Sequence, residues 1–133
     1  MAKGAVLAGV VLLGLLSAGS AAAQGYAPGE KLALANCGRC HVVNDRNRMG
    51  GIGSTPSFAI LRSRSDWEKR MKSFWTRRPH ISFTQIEGVT HPFPINRPPP
   101  IHPITLTLHE VDQIVDYMRS LKPADLGNRR RTR

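Results

Sequence analysis

The chain has 133 residues, with 19 Lys or Arg against 9 Asp or Glu side chains and a formal net charge of +10 at pH 7. This length limits it to one small domain with a modest core. Its 2 cysteines exclude a scaffold of several disulfides. The basic residues are scattered and not interleaved with aromatics, so the composition does not indicate a nucleic-acid partner.

The N-terminus has the pattern of a secretory signal. Lys3 precedes an apolar stretch over residues 5–16, and three alanines at residues 21–23 suit cleavage before Gln24. Residues 4–23 carry no charge and are long enough to span a bilayer, so an uncleaved anchor is the alternative. We favour a cleaved signal peptide over residues 1–23, because small residues dilute the stretch. We therefore expect a periplasmic protein.

Residues 37–41 read Cys-Gly-Arg-Cys-His, and we call them the haem motif. Two thiols at this spacing suit thioether bonds to the vinyl groups of haem, and the adjacent imidazole suits the proximal position on the iron. A thioredoxin-like redox pair needs a βαβ context and a zinc site needs a second ligand pair, and the sequence shows neither. We predict one haem c per chain, bound covalently to Cys37 and Cys40, with His41 as an axial iron ligand.

Two helices are predicted before the middle of the chain. The first begins near Pro28, a residue suited to a first helical turn, and runs into the haem motif. The second begins at a capping box that starts at Ser65, and its apolar residues recur at helical spacing up to Phe74. Pro79 then ends it.

The last predicted helix has the clearest pattern. Thr107 and Glu110 form a capping box, and Leu106 is placed to pack onto the first turn. Pro123 ends the helix. One apolar stripe follows its length, formed by Val111, Ile114, Val115, Met118 and Leu121. No segment alternates over enough residues to predict a strand.

Two loops complete the organisation of the chain. The loop over residues 50–58 contains the glycines needed for tight turns and ends at apolar Phe58, so it could wrap the haem edge. The loop over residues 91–103 is rich in proline and is expected to be extended and stiff. A stiff loop can hold an iron ligand in place.

The order of these features resembles a class I cytochrome c over roughly residues 24–126. Gly29 stands where that family has a small residue at the crossing of its first and last helices, and Tyr117 stands where it has an aromatic at the same crossing. The segment over residues 106–121 is similar to the family's final helix. The resemblance implies an all-α, cytochrome c-like fold of about three helices and long loops around one covalently attached haem.

The chain departs from the family at the sixth iron ligand. The family has a Met-Pro pair before its final helix, whereas this chain has His102 and Pro103, and no methionine lies between residues 72 and 117. His102 is the sixth ligand that we favour, since it holds the family's ligand position in a rigid setting. His80, His91 and an open, five-coordinate iron remain the alternatives. Two axial imidazoles would lower the reduction potential relative to a His/Met pair.

The other candidate ligands have ordinary structural explanations. We assign His109 to the surface of the last helix, Met49 to the loop after the haem motif, and Met71 to the core.

These features predict an electron carrier and not an enzyme. The sequence has no Ser/His/Asp set, no phosphate-binding loop and no acidic metal cluster. The alternative function is a haem-based binder of a small ligand, a gas or a peroxide, with an open or displaceable sixth site. A permanent cytochrome subunit of a larger enzyme is a third interpretation.

The charge of the chain bears on its partners. Removal of Lys3 with the signal leaves 18 basic and 9 acidic side chains, so the net charge is +9 before any haem propionates. Residues 127–133 are predicted to be a disordered basic tail. This charge either keeps the surface solvated or steers the protein to a redox partner with an acidic patch or to a membrane-bound electron-transfer complex. An uncleaved N-terminal segment would add membrane contact.

Overall fold

The computed structural model describes Met1 and residues 27–127. Over these residues the chain forms four α-helices, which are α1 (Pro28–Cys37), α2 (Phe58–Arg62), α3 (Trp67–Met71) and α4 (Leu108–Ser120). Short 3-10 helices lie at Asp45–Asn47, Phe74–Thr76 and His80–Ser82. Two strands, β1 (Thr84–Ile86) and β2 (Ile104–Leu106), complete the regular structure.

The predicted signal peptide and nearly all of the predicted basic tail lie outside the described residues. Within the described part of the chain, no helix has the length and apolar character needed to cross a membrane.

Helices α1 and α4 cross at a buried glycine. A β-carbon built on Gly29 would lie 1.9 Å from the carbonyl oxygen of Gln113 and 2.9 Å from the β-carbon of Tyr117. Only a residue without a side chain allows the two helices to approach so closely. The predicted places of Gly29 and Tyr117 at this crossing are therefore confirmed.

The buried face of α4 forms the centre of the core. Its four fully buried residues, each at most 2% exposed, are Val111, Ile114, Val115 and Met118. This face packs against one or more buried side chains from every other helix, namely Ala33 of α1, Phe58 of α2, and Trp67 and Met71 of α3. Full burial of one such side chain contributes about 1.5–3 kcal/mol, so the predicted apolar stripe supplies much of the driving force for folding.

The start of α4 has the predicted capping box. The backbone N–H of Glu110 donates to Oγ1 of Thr107 at 3.1 Å, and the backbone N–H of Thr107 donates to Oε2 of Glu110 at 2.7 Å. These two bonds satisfy N–H groups that have no partner within the helix. Leu106 is 1% exposed and belongs to the same buried cluster as Val111, as predicted for a staple at this position.

The second predicted helix begins differently. The N-cap residue of α3 is Asp66, and no side chain caps the helix. The Asp66 carboxylate instead accepts hydrogen bonds from Nε of Arg64 at 3.2 Å and Nε of Arg70 at 2.6 Å. The predicted capping box at Ser65 is therefore wrong, because the helix begins one residue later and the Glu68 carboxylate accepts hydrogen bonds from Arg119. The helix also ends earlier than predicted, and Phe74 lies in a separate 3-10 turn.

The sequence does not predict α2 or the strand pair. Helix α2 begins at Ser57, whose hydroxyl accepts a hydrogen bond from the Ile60 N–H at 3.3 Å. Strands β1 and β2 are parallel, with Thr84 opposite Ile104. A strand of three residues is too short to show an alternating pattern. The structure nevertheless remains mainly helical, and the predicted all-α class is confirmed.

Candidate haem-binding site

Helix α1 positions the haem motif. The helix ends at Cys37, and the N–H of Gly38 donates to two carbonyl groups of its last turn. The N–H of Cys40 donates to the carbonyl oxygen of Cys37 at 3.1 Å, and that of His41 donates to the same oxygen at 2.8 Å. The motif is thus a compact turn, and this turn keeps the two thiols and the imidazole close together.

A single asparagine fixes the backbone of this turn. The Asn47 Oδ1 accepts from the N–H groups of Val43 at 2.8 Å and Asn44 at 3.1 Å. Its Nδ2 donates to the carbonyl oxygens of Gly38 at 3.3 Å and His41 at 3.0 Å. One side chain therefore holds the backbone before, at and after the histidine of the haem motif.

A second asparagine connects the turn to the helix crossing. The Asn44 Nδ2 donates to Oε1 of Glu30 and to the hydroxyl of Tyr117, both at 2.8 Å. Burial raises the pKa of the Tyr117 hydroxyl, and the bond from Asn44 acts in the opposite direction. Sequence reasoning missed the roles of Asn44 and Asn47. The available signal was the polar run over residues 44–47, which favours a turn but does not identify distant partners.

The glycine-rich loop packs against the haem motif. The Ile52 N–H donates to the carbonyl oxygen of Cys40 and the Phe58 N–H donates to that of Val42, both at 2.9 Å. Gly51 has a φ of 80°, and a β-carbon there would lie 3.0 Å from the backbone nitrogen of Val42. This backbone conformation strongly favours glycine. The loop therefore lies beside the motif, where a loop that wraps a haem edge is expected.

The imidazole of His41 has a defined orientation. Its Nδ1 lies 2.7 Å from the carbonyl oxygen of Pro56. Because a carbonyl oxygen can only accept, Nδ1 carries the proton and Nε2 keeps its lone pair for a metal ion. Burial lowers the pKa of His41, and the bond to Pro56 opposes this shift. The ring also meets the edge of Phe58, with ring centres 5.8 Å apart.

A second histidine lies beside His41. The ring centres of His41 and His80 are 6.1 Å apart and their planes differ by 7°. Nδ1 of His80 is buried and has no hydrogen-bond partner among the described residues. Burial lowers the pKa of His80, and the nearby His41 lowers it further. The structure thus brings together two imidazoles for which burial favours the neutral form, the form that binds metal ions.

Both cysteines of the motif are free thiols and partly buried. Burial raises the pKa of the Cys37 thiol to about 12, and the nearby Cys40 adds to this shift. A thioether carries no charge and tolerates such a site, whereas a thiolate does not. Among the described residues, no group of three or more His, Cys, Asp or Glu side chains could hold a metal ion, so the zinc alternative has no ligand set there.

Comparison with known families agrees with this geometry. The family model for cytochrome c matches residues 26–122, which include the haem motif and α4. The chain belongs to the cytochrome c family. Searches of curated proteins and of solved structures gave no significant match. Membership confirms the class I resemblance and the cytochrome c-like fold, and it implies haem c as the cofactor of this cytochrome.

The residues of this cytochrome fit that cofactor. Cys37 and Cys40 are free to form thioethers, and the hydrogen bond to Pro56 leaves Nε2 of His41 available to iron. These three residues would hold the haem. The assignment of each one stays a prediction.

The other histidines of the cytochrome lie outside this arrangement. His102 is exposed, and its Nδ1 lies 3.1 Å from the carbonyl oxygen of Pro103. His91 is exposed and lines a cavity of about 430 Å³ together with Trp75 and Phe93. The described ring contacts of the motif histidine are with Phe58 and His80, and neither of these loop histidines is among them.

The remaining candidates have the positions predicted for them. His109 is exposed on the first turn of α4. Met49 is 93% exposed in the loop after the haem motif, and Met71 is 8% exposed within the core.

Proposed function

We propose that this cytochrome carries single electrons between redox partners in the periplasm and is not itself an enzyme. The observation that carries the proposal is the hydrogen bond of 2.7 Å between Nδ1 of His41 and Pro56, which orients an imidazole for iron directly beside two free thiols. Family membership supports electron transfer as the function. A bound haem supplies the one-electron Fe(III)/Fe(II) couple.

The chain's own part is to keep the iron ligands in place. Asn47 bonds to the backbone on both sides of His41, and the loop over residues 50–58 bonds to Cys40 and Val42. A ligand held by several backbone hydrogen bonds moves little when the charge on the iron changes. A rigid site of this kind suits repeated transfer of electrons.

We expect the potential to be low, because no described methionine is placed as an iron ligand. In residues 27–127, Met49 is exposed, whereas Met71 and Met118 are buried in the core. A thioether ligand raises the potential of haem iron and a second imidazole does not. A redox titration of the purified protein measures this property. Rapid, stoichiometric binding of carbon monoxide by the reduced protein would instead support the small-ligand binder.

Haem attachment and export are tested together by mass spectrometry of the purified protein. The expected species begins at Gln24 and carries one haem, and its pyridine haemochrome spectrum shows two thioether bonds. Cys37→Ala and Cys40→Ala should each remove one thioether. Haem-free protein recovered from the periplasm would contradict the proposal. A chain that begins at Met1 in the membrane fraction would show that the N-terminal segment is an anchor.

The basic surface supports a partner with an acidic patch, free or in a membrane-bound complex. Arg39 lies within the haem motif, and Arg77 and Arg78 precede His80 closely; all three side chains belong to exposed residues. Cationic groups near a redox centre accelerate association with anions, and salt weakens the effect.

Small redox reagents of opposite charge test this surface. Added salt should slow oxidation by ferricyanide, an anion, and should speed oxidation by a cationic cobalt complex. The double variant Arg77→Gln, Arg78→Gln should lose most of the salt dependence with ferricyanide. The control double variant, Lys69→Gln with Lys122→Gln, removes the same charge elsewhere and should lose less. Equal losses would show that only net charge matters.

A further inference from the structure

The distance between the rings of His41 and His80 is the distance that one shared metal ion requires. Imidazole nitrogens bind metal ions at about 2.0 Å, so two imidazoles on opposite sides of one ion have ring centres about 6 Å apart. The observed separation is 6.1 Å, and the two planes differ by 7°. Two axial ligands of one haem iron would have this spacing.

We infer that His80 is the second axial ligand of the haem iron, in the place that the sequence alone assigns to His102. The inference rests on the proposed function, since it needs a haem attached at the motif. It names the residue that makes this cytochrome a bis-histidine protein.

The buried nitrogen of His80 distinguishes this arrangement from ordinary aromatic packing. Pairs of packed rings also have centres 4.5–7 Å apart, so the spacing alone does not decide between them. A buried imidazole in a core, however, normally has its ring nitrogens hydrogen-bonded. Nδ1 of His80 has no partner among the described residues. One ring nitrogen of His80 is therefore left without a partner beside the motif histidine, and a bond from that Nδ1 to a metal ion would satisfy it.

The local structure holds the His80 ring in position. Phe74 meets it edge-on with ring centres 5.2 Å apart, and Phe83 lies 5.7 Å away. The Phe83 N–H donates to the carbonyl oxygen of His80 at 3.0 Å, and the carbonyl of Phe83 accepts from the Ile104 N–H at 2.8 Å. The β1–β2 pairing thus anchors the short helix that carries His80. A ligand held in place by neighbouring side chains and backbone bonds suits a stable six-coordinate iron.

His102 has none of these features. It is exposed, its Nδ1 is near its own neighbour's carbonyl oxygen, and it makes no described ring contact with His41. His91 is likewise exposed. These two histidines therefore serve as matched controls for a test of His80.

The test compares His80→Ala, His102→Ala and His91→Ala in the haem-loaded, full-length protein. We expect the oxidised parent to be low-spin by absorption and electron paramagnetic resonance, without a methionine charge-transfer band. His80→Ala should become high-spin when oxidised and should bind carbon monoxide stoichiometrically when reduced. Added imidazole should restore the low-spin spectrum. His102→Ala and His91→Ala should retain the parent spectrum.

A second variant keeps the test decisive where His80→Ala folds poorly. His80→Met should remain six-coordinate, acquire a methionine–iron charge-transfer band and have a higher reduction potential than the parent. The inference is overturned by a high-spin parent protein, by a low-spin His80→Ala variant, or by loss of the low-spin state in His102→Ala or His91→Ala. Pyridine haemochrome analysis separates the two proposals, because a parent without covalent haem overturns the proposed function itself.

Discussion

Gly29 lies so close to Gln113 that a β-carbon at residue 29 would be 1.9 Å from the carbonyl oxygen of Gln113. This contact sets the distance between α1, which ends in the haem motif, and α4, which supplies the centre of the core. The position of the cofactor site relative to the core therefore depends on a residue without a side chain.

Gly29→Ala should destabilise the protein despite the better helix propensity of alanine. Propensity alone would stabilise the variant by up to about 1 kcal/mol, but the added methyl group meets backbone that cannot rotate away. We expect a net loss of about 1–3 kcal/mol, measured by urea unfolding. The control is Gly53→Ala, because a β-carbon at Gly53 meets nothing within 4 Å. A Gly29→Ala variant as stable as the parent would contradict the close crossing.

Asn47→Ala should destabilise the haem-loaded protein by about 2–6 kcal/mol, since it removes four hydrogen bonds that each contribute about 0.5–1.5 kcal/mol. The bonds join Asn47 to backbone atoms from Gly38 to Asn44. The measurement is guanidinium unfolding followed by haem absorbance. The control Asn36→Ala removes one bond, to the Leu32 carbonyl within α1. Equal effects of the two substitutions would show that Asn47 does not hold the motif.

Thr107→Ala should destabilise the protein by about 1 kcal/mol, because the first turn of α4 loses its side-chain acceptor. The Glu110 N–H donates to the Thr107 hydroxyl at 3.1 Å. Thr107→Ser keeps this oxygen and should stay close to the parent in a thermal unfolding experiment. If the serine variant were as unstable as the alanine variant, the lost methyl group and not the lost cap would be the cause of the destabilisation.

The bond between Glu68 and Arg119 should make stability depend on pH in the acid range. The hydrogen bond from Arg119 lowers the pKa of Glu68 from its ordinary value of 4.5. A carboxyl with a lowered folded-state pKa stabilises the fold above its unfolded-state pKa, and the contribution is lost as pH falls through the folded-state value. Glu68→Gln should therefore lower the urea midpoint slightly at pH 7 and have little effect at about pH 3.

Salt and a matched substitution check this interpretation. Both side chains are partly exposed, at 45% for Arg119 and 40% for Glu68, so salt should reduce the difference between parent and Glu68→Gln at pH 7. The control Glu87→Gln changes an exposed glutamate that lies outside the ion pairs of the described residues. An effect of Glu68→Gln that persists at about pH 3 would contradict the electrostatic cause.

Features that depend on residues close together in the sequence were predictable from the sequence alone. The Pro28 start of α1, the Thr107 capping box and the apolar stripe of α4 all have the predicted form. Each depends on residues within one or two helical turns of one another. Over that range, the separation of two residues in the sequence determines how far apart they lie in the helix. The Ser65 capping box failed because the carboxylate of Glu68, its second member, accepts hydrogen bonds from Arg119, which is distant in sequence.

The sequence alone predicted the family and the fold class, which are confirmed. It also predicted the proximal side of the candidate site, because Cys37, Cys40 and His41 are close along the chain. The histidine that lies beside His41 was decided only by tertiary structure. His80 and His102 both lie in proline-containing segments, and the sequence favours His102 because it holds the family's ligand position. The parallel pairing of β1 with β2 and the packing of Phe74 and Phe83 bring the His80 ring to within 6.1 Å of the His41 ring. Contacts between residues so distant in sequence depend on how the whole intervening chain packs, which spacing and composition do not encode.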